Sequence, residues 1–104
     1  MSAPLQGEIW WAEAEDKRRP VLVVTRSEAA GVLARVVVAP VTRTVRSIPT
    51  EIALGADEGL PTPCAASFDN LLPVSRSLLV QRIGRLAPAR RIELCQALGA
   101  LADC

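Results

Sequence analysis

The chain has 104 residues, of which 50% are hydrophobic and 22% are charged, and its formal net charge is +1. A chain of this length fits one domain, and the apolar fraction excludes a disordered tail. The absence of His excludes a Ser-His-Asp triad and a His-ligated zinc site. We therefore expect one folded domain over residues 1–104.

The cysteines and the N-terminal segment bear on the compartment. Cys64, Cys95 and Cys104 are odd in number and widely spaced, which indicates neither a disulfide framework nor a zinc knuckle. The first residues lack the basic-then-apolar pattern of a signal peptide, and no apolar run approaches the ~18 residues that a transmembrane helix needs. We expect a cytoplasmic protein with reduced thiols and no membrane contact.

The predicted elements, in chain order, are mostly short strands. Residues 20–25 form a continuous apolar run, which predicts a central strand buried on both faces. Pro40 removes a hydrogen-bond donor from the third strand and predicts a bulge or a sheet edge there. We expect turns at residues 15–19, at 27–31 (or a short helical segment there) and near Pro73. The predicted strands cover residues 7–13, 20–25, 35–42, 50–54, 64–68 and 78–86.

The C-terminal segment predicts the clearest helix. Pro88 fits the first helical position, where its missing N–H costs nothing. Apolar residues then recur at spacings of three or four and predict one buried face. Five to seven strands with one helix do not give the alternation of a parallel α/β fold. The sequence therefore predicts a mainly β domain, a small and strongly curved antiparallel sheet or barrel. The predicted helix face consists of Ile92, Cys95, Leu98 and Ala102.

The charges are grouped by segment. Residues 17–46 carry seven basic residues and one acidic residue, a net charge of +6, whereas residues 1–16 carry four acids and no base. If the second and third strands are neighbours, the bases at their ends converge on one rim, where guanidinium groups could bind phosphate. The alternative is a set of solvated loop charges. The bases in question are Lys17, Arg18, Arg19, Arg43 and Arg46.

Six short motifs occur in order along the chain. Each is weak alone, but the ordered set, spanning residues 7–102, resembles the MazF/PemK toxins of bacterial toxin–antitoxin pairs. The resemblance implies an SH3-like barrel of five to seven strands with a C-terminal α-helix, working as a homodimer. The motifs are GEIWW at residues 7–11, RPVLVV at 19–24, APVT at 39–42, IPTEI at 48–52, CAASFDN at 64–70 and QRIGRL at 81–86.

The resemblance also implies an activity. Most members of this family are metal-independent endoribonucleases that use no cofactor and cut single-stranded RNA at short sequences, which inhibits translation and growth. The substrate 2′-OH attacks the adjacent phosphate and leaves a 2′,3′-cyclic phosphate and a 5′-OH. Such a reaction needs groups that hold the phosphate and stabilise transition-state charge. The implied partner is a cognate antitoxin with an acidic, flexible C-terminal tail.

Three catalytic positions carry over from the family. Arg19 of the RPVLV motif would clamp the phosphate, and Thr42 would orient a non-bridging oxygen by its hydroxyl. Asp69 is a candidate base or base-edge acceptor, although the Asp69-Asn70 pair could equally cap a turn. The expected RNA-binding residues are Lys17, Arg18, Arg43, Arg46, Ser67, Asn70 and Trp10.

The two adjacent tryptophans cannot share one environment. Trp10 and Trp11 point to opposite faces of a strand, so one is expected in the core. The other is expected to stack on an RNA base or to pack in the dimer.

Two features depart from the family pattern. The connection from Glu13 to Arg19 is short where many members have a longer loop that helps to close the RNA groove. Ser67 stands where some members place an arginine. Two other functions stay open, a gyrase-poisoning toxin with the same barrel and a barrel-type RNA-binding module. The arginine of RPVLV followed by a threonine at the end of the third strand favours the ribonuclease.

Overall fold

The computed structural model describes residues 4–14, 17–26 and 32–102. Single turns of 3₁₀ helix occupy Ala56–Glu58, Phe68–Asn70, Arg76–Leu78 and Pro88–Arg90. The described strands are β1 (Glu8–Ala14), β2 (Lys17–Val23), β3 (Arg35–Thr42), β4 (Glu51–Leu54), β5 (Cys64–Ser67), β6 (Leu72–Ser75) and β7 (Leu79–Arg85), and α1 is Arg91–Leu101.

The seven described strands form one antiparallel sheet in the order β4-β5-β3-β2-β1-β7, with β6 added on β3. β3 pairs with β2 on one side and with two different strands on the other side. Its first half pairs with β6 as far as Val38, and its end pairs with β5 from Val41 onward. The sheet therefore forks along β3, and the fork lies next to Ala39 and Pro40.

The sheet buries apolar side chains on both faces. Alternation along β2 sends Leu22 to the inner face, against α1 and β4, and sends Val21 and Val23 to the outer face. All three are at most 2% exposed, which confirms the prediction of a strand buried on both faces. On the inner face, Ile52 of β4 packs in the same cluster as Leu22, so the sheet curls into a half-barrel. Full burial of each such side chain contributes about 1.5–3 kcal/mol.

The mainly β architecture with one C-terminal helix is confirmed, and β3 has the predicted bounds. Residues 17–19, predicted as a turn, instead begin β2, because β1 pairs with β2 as far as Ala14 and Lys17. The turn near Pro73 is a strand, since β6 pairs with β3 there. The predicted turn at residues 27–31 lies outside the described residues.

Pro40 pairs with Val21 of β2 on one side and has no strand partner on the other, so the predicted edge is found within the sheet, on one side of β3, and no bulge is needed. Val24 N–H donates to Val37 O across β2 and β3, at 2.9 Å. Backbone groups alternate in direction along a strand, so the nitrogen of Pro40 points away from β2 and toward the fork. The missing N–H therefore falls where β6 has ended and β5 has not yet begun.

The helix packs with a face that overlaps the predicted one only at Leu98. Leu94 and Ala97 are buried against the inner cluster and Leu98 packs beside them, whereas Ile92 is 61% exposed and Cys95 is also exposed. Both stripes recur at spacings of three or four, so periodicity alone could not choose between them. No helix in the described part of the chain is long and apolar enough to cross a bilayer.

Candidate functional site

A cavity of about 390 Å³ opens on the outer face at the gap between β5 and β6, beside β3. We call it the fork cavity. Its floor is Pro40, and its walls come from the end of β3, the loop of residues 43–50, the end of β5 and the start of β6. The lining residues are Arg19, Pro40, Thr42, Thr44, Arg46, Ser67, Asn70 and Leu72.

The strand register places Arg19 beside Thr42. Val21 of β2 is paired with Pro40 of β3. Arg19 lies two residues before Val21 and Thr42 lies two residues after Pro40, so all four share the outer face. Arg19 is exposed, and both of these side chains line the fork cavity. The structure thus brings together two of the three expected catalytic residues.

Ser67 and Asn70 form the opposite wall. Thr42 pairs with Ala65 of β5, and Ser67, two residues on, faces the same way. Ser67 is only 4% exposed, and its Oγ accepts a hydrogen bond from Asn70 Nδ2 at 2.9 Å. The bond holds the amide of Asn70 at the cavity, while the hydroxyl hydrogen of Ser67 is not used in it.

Two acceptors fold the loop of residues 43–50 over the cavity. Thr42 Oγ1 accepts a hydrogen bond from the Thr44 N–H at 3.1 Å. Glu51 Oε1 accepts from the N–H groups of Arg46 and Ser47, at 2.9 and 3.2 Å. Ser47 has a φ of 54°, a left-handed conformation that a non-Gly residue keeps only when its surroundings hold it.

Sequence reasoning missed Thr44 and Leu72, which line the fork cavity, and Glu51, which supports the loop beside it. Glu51 begins β4 directly after the loop, and its carboxylate fixes the backbone of Arg46. Its position within IPTEI, just after a polar connection, was a weak signal for this role. Through Glu51 the loop presents the Arg46 guanidinium to the fork cavity.

Asp69 lies next to the fork cavity without lining it. Thr50 Oγ1 donates to Asp69 Oδ2 at 2.6 Å, and Phe68 N–H donates to Thr50 O at 2.9 Å. These two bonds join the end of the loop to the 3₁₀ turn that carries Asn70. The structure therefore gives Asp69 a place in the frame of the cavity and does not bring it to Arg19 and Thr42.

The charged side chains among the described lining residues of the fork cavity are all positive. Among its described lining residues, Arg19 and Arg46 are cationic and no carboxylate is present. Thr42, Thr44 and Ser67 add hydroxyls, and Asn70 adds an amide. Guanidinium forks and hydroxyl donors together match the oxygens of a phosphate diester. In the described ranges, no group of three or more His, Cys, Asp or Glu side chains is placed to hold a metal ion.

A second cavity of about 260 Å³ lies on the inner face, at the same end of β2 and β3. We call it the Trp11 cavity. Burial raises the pKa of the Cys64 thiol, and nearby Glu58 raises it further. Cys64 Sγ contacts Leu54 O at 3.8 Å. The lining residues are Trp11, Arg18, Pro20, Val41, Thr42, Arg43, Leu60, Pro61, Thr62 and Cys64.

Three more of the expected RNA-binding residues, which are all basic, lie in two places. Arg18 and Arg43 line the Trp11 cavity on the inner face. Each is the chain neighbour of a residue on the outer face, Arg19 or Thr42, and side chains of adjacent strand residues point to opposite faces. Arg18 also forms an ion pair with Glu13 at 3.2 Å. Lys17 is exposed at the start of β2 and lines neither of these cavities.

Trp10 is the core member of the tryptophan pair, which corrects its expected RNA-binding role. It is 7% exposed, and its Nε1 donates to the buried carboxylate of Glu8 at 3.1 Å. Trp11 is half-buried and lines a cavity. Strand alternation requires opposite faces for the two rings, but both faces of β1 are apolar, so the sequence did not show which ring is buried.

A curled antiparallel sheet with one C-terminal helix, carrying a cavity lined by two arginines and several hydroxyls at a strand fork, defines the class of protein as a small β domain with a cavity suited to an anion. Residues 5–102 match the model of a family described as the PemK-like, MazF-like toxin of type II toxin–antitoxin systems. The chain belongs to this family, which confirms the resemblance found in the sequence motifs.

Individual relatives agree with the family match. A Mycobacterium tuberculosis protein named probable endoribonuclease MazF5 is 43% identical, covering 97% of this chain and 94% of its own. The solved Mycobacterium tuberculosis toxin MazF-mt6 superposes with a TM-score of 0.86 at 38% identity, covering 92% of this chain and 96% of that one. A mycobacterial endoribonuclease solved in complex with its cognate antitoxin has a TM-score of 0.85 at 27% identity, covering 97% and 96% of the two chains.

Proposed function

We propose that this protein is the toxin of a type II toxin–antitoxin pair and acts as a metal-independent endoribonuclease on single-stranded RNA. In this proposal the chain is one cytoplasmic toxin domain over residues 1–104, and its cleavage of RNA inhibits translation and growth. The observation that carries the proposal is the convergence of Arg19, Thr42 and Arg46 in a fork cavity with no carboxylate among its described lining residues. Relatives that align over nearly the whole chain bear the name endoribonuclease.

The cavity fits a reaction in which the substrate supplies the nucleophile. A phosphate placed there would receive paired hydrogen bonds from Arg19 and one from the Thr42 hydroxyl, with Arg46 as a second cation. Attack by the adjacent 2′-OH would form a 2′,3′-cyclic phosphate and release a 5′-oxygen. Negative charge grows on the phosphate oxygens during this step, and donors already aimed at them stabilise the transition state.

In this proposal the proton transfers go through solvent. Arg19 neither removes nor gives up a proton, because a guanidinium stays protonated in proteins, and it acts by hydrogen bonds to the phosphate oxygens. Water takes the proton of the attacking 2′-OH, and another water protonates the leaving 5′-oxygen. Asp69 already accepts the Thr50 hydroxyl at 2.6 Å and stands outside the cavity lining. We assign Asp69 to holding the wall that carries Asn70, rather than to removing the 2′-OH proton.

The proposed partners are a second copy of this chain and a cognate antitoxin. The structural relative with a TM-score of 0.85 was solved in complex with its own antitoxin. Residues 17–46 carry a net charge of +6, which would attract an acidic, flexible tail to the rim that holds both cavities. Such a tail would order on binding and cover Arg19.

The decisive experiment is incubation of the purified protein with a long RNA in EDTA. We expect discrete fragments that end in 2′,3′-cyclic phosphate and begin with 5′-OH. Arg19→Ala should abolish cutting, whereas Arg35→Ala should not, because Arg35 is exposed at the opposite end of β3 from Thr42. Intact RNA at micromolar protein, with growth arrest retained in cells, would overturn the ribonuclease and favour a toxin that acts by protein contact.

A further inference from the structure

The fork cavity and the Trp11 cavity meet at one residue. Thr42, the last residue of β3, lines both of them. Arg19 and Arg18 are consecutive in β2, and they serve the outer and inner cavity respectively. The two cavities therefore lie on opposite faces of the β2–β3 pair, around the same rim. A strand of RNA with its phosphate at Arg19 would have its neighbouring nucleotide within reach of the inner face.

The Trp11 cavity has the side chains that hold an unpaired base. Trp11 is half-buried and lines the cavity together with apolar residues that include Pro20 and Leu60, so one wall is aromatic and apolar. Arg43 and Arg18 add positive charge, and Thr42 and Thr62 add hydroxyls. An aromatic platform beside cations is how proteins bind single-stranded nucleic acid, because every base has a π-face and is linked to an anionic phosphate.

The two arginines are not equivalent. Arg18 is already ion-paired with Glu13, and both side chains are about half exposed, at 57% and 48%. Arg43 follows Thr42 directly and so stands beside the residue that the two cavities share. Arg43 is therefore the cation best placed to hold a phosphate on the path between the cavities.

We propose that the Trp11 cavity binds the base of the nucleotide next to the phosphate held in the fork cavity. Trp11 is the stacking platform, and Arg43 anchors the backbone of that nucleotide. The inference rests on the proposed ribonuclease function and adds a subsite that contributes to sequence preference. Its occupant is RNA and not an antitoxin peptide, because the cavity shares Thr42 with the fork cavity and has Arg18 and Arg43 in its lining.

Fluorescence can test occupancy directly, since the chain has only two tryptophans. In a Trp10→Phe protein, Trp11 is the sole indole, and circular dichroism and the melting temperature verify the fold. The probe is a single-stranded oligonucleotide of mixed sequence with 2′-O-methyl groups, which block the attacking hydroxyl. We expect saturable quenching of Trp11 that weakens with added salt.

Paired variants separate stacking from charge. Trp11→Leu should weaken oligonucleotide binding about tenfold and blur the base preference next to the cleavage site, whereas Trp11→Phe should keep most of both. Arg43→Gln should weaken binding to all sequences and lower the salt slope by about one. Arg35→Gln is the matched control on the same strand and should leave binding unchanged.

Each contrary result has a definite meaning. RNA cleaved by Trp11→Leu with unchanged affinity and sites would overturn the subsite while leaving the ribonuclease intact. A Trp11→Leu protein that turns monomeric, with Arg43→Gln still binding normally, would place Trp11 between two copies and also overturn it. Loss of affinity for an acidic peptide alone would identify a peptide pocket instead. Wild-type protein that neither binds nor cuts RNA would refute the proposed function itself.

Discussion

Arg19 and Arg90 show how the surroundings of the same side chain decide its role. Arg90 precedes α1, and its Nε and Nη2 each donate to a different carboxylate oxygen of Glu93 at 2.8 Å. Its Nη1 donates to the buried Glu58 at 3.1 Å, and its Nη2 also donates to Ala53 O at 2.7 Å. Arg19 faces a cavity whose described lining includes a second arginine and no carboxylate.

The contrast separates structure from function. Arg90 joins the turn before α1 to β4 and to the turn that carries Glu58, so its charge is used within the fold. The charge of Arg19 is directed to a cavity where an external anion can bind. The guanidinium group is suited to both tasks because it is planar and always charged, and only its neighbours distinguish them.

The strongest test of this contrast is Arg19→Lys. Lysine keeps the charge but loses the planar fork that donates two parallel hydrogen bonds, so we expect RNA cleavage to fall about 10²-fold or more. The change is at an exposed position, and the melting temperature should stay within a degree or two of wild type. Single-turnover cleavage and thermal unfolding measure the two quantities. Full activity in Arg19→Lys would mean that a point charge suffices in the fork cavity.

The same exchange at the other arginine should give the opposite result. Arg90→Lys cannot keep the paired bonds to Glu93 together with those to Glu58 and Ala53, so the free energy of unfolding should fall by about 2 kcal/mol. Cleavage per folded molecule should not change. Urea denaturation monitors the loss. Arg85→Lys, at an exposed position in β7, is the control and should be nearly neutral.

Substitution of Glu51 tests whether hydrogen bonds within the protein support substrate binding in the fork cavity. Glu51→Ala removes the acceptor for the N–H groups of Arg46 and Ser47, and we expect KM for a short RNA to rise about tenfold with a smaller change in kcat. Glu51→Gln keeps an acceptor oxygen and should restore most of the loss. Equal defects in both variants would show that the charge of Glu51 matters rather than its hydrogen bonds.

The smallest expected effect is a pH dependence at the Arg90 cluster. Hydrogen bonding from Arg90 lowers the pKa of Glu93. A carboxylate whose folded pKa lies below its unfolded value of about 4.3 stabilises the fold above that value. The contribution is lost as the pH falls through the folded pKa. Unfolding free energies measured from neutral pH downward should therefore decline less steeply in Glu93→Gln than in wild type.

The sequence predicted the parts of the site that follow from strand pairing. The apolar run at residues 20–25 and the strand at 35–42 placed Arg19 near Thr42, because neighbouring antiparallel strands bring their ends to one rim. Alternation then moved Arg18 and Arg43 to the other face, a division that a count of basic residues does not reveal.

Other features depend on contacts between distant segments. The bond from Thr50 to Asp69 has no local signature in the sequence, and the position of Glu51 directly after the polar loop is only a weak signal for its bonds to the loop backbone. Periodicity also failed to predict the buried face where an element has two equally apolar faces. The tryptophan pair and the two stripes of α1 each offered two faces, and tertiary packing selected Trp10 and Leu94 for burial.

Pro40 sets a limit on what can enter the fork. Its nitrogen faces the gap between β5 and β6 and has no hydrogen to donate. β5 and β6 cannot form one continuous hydrogen-bonded ladder along β3 at this point, so the gap between them stays open. A foreign polypeptide cannot complete the ladder at Pro40 either. The opening therefore accepts ligands that bind to side chains, and it disfavours the addition of another β-strand at this position.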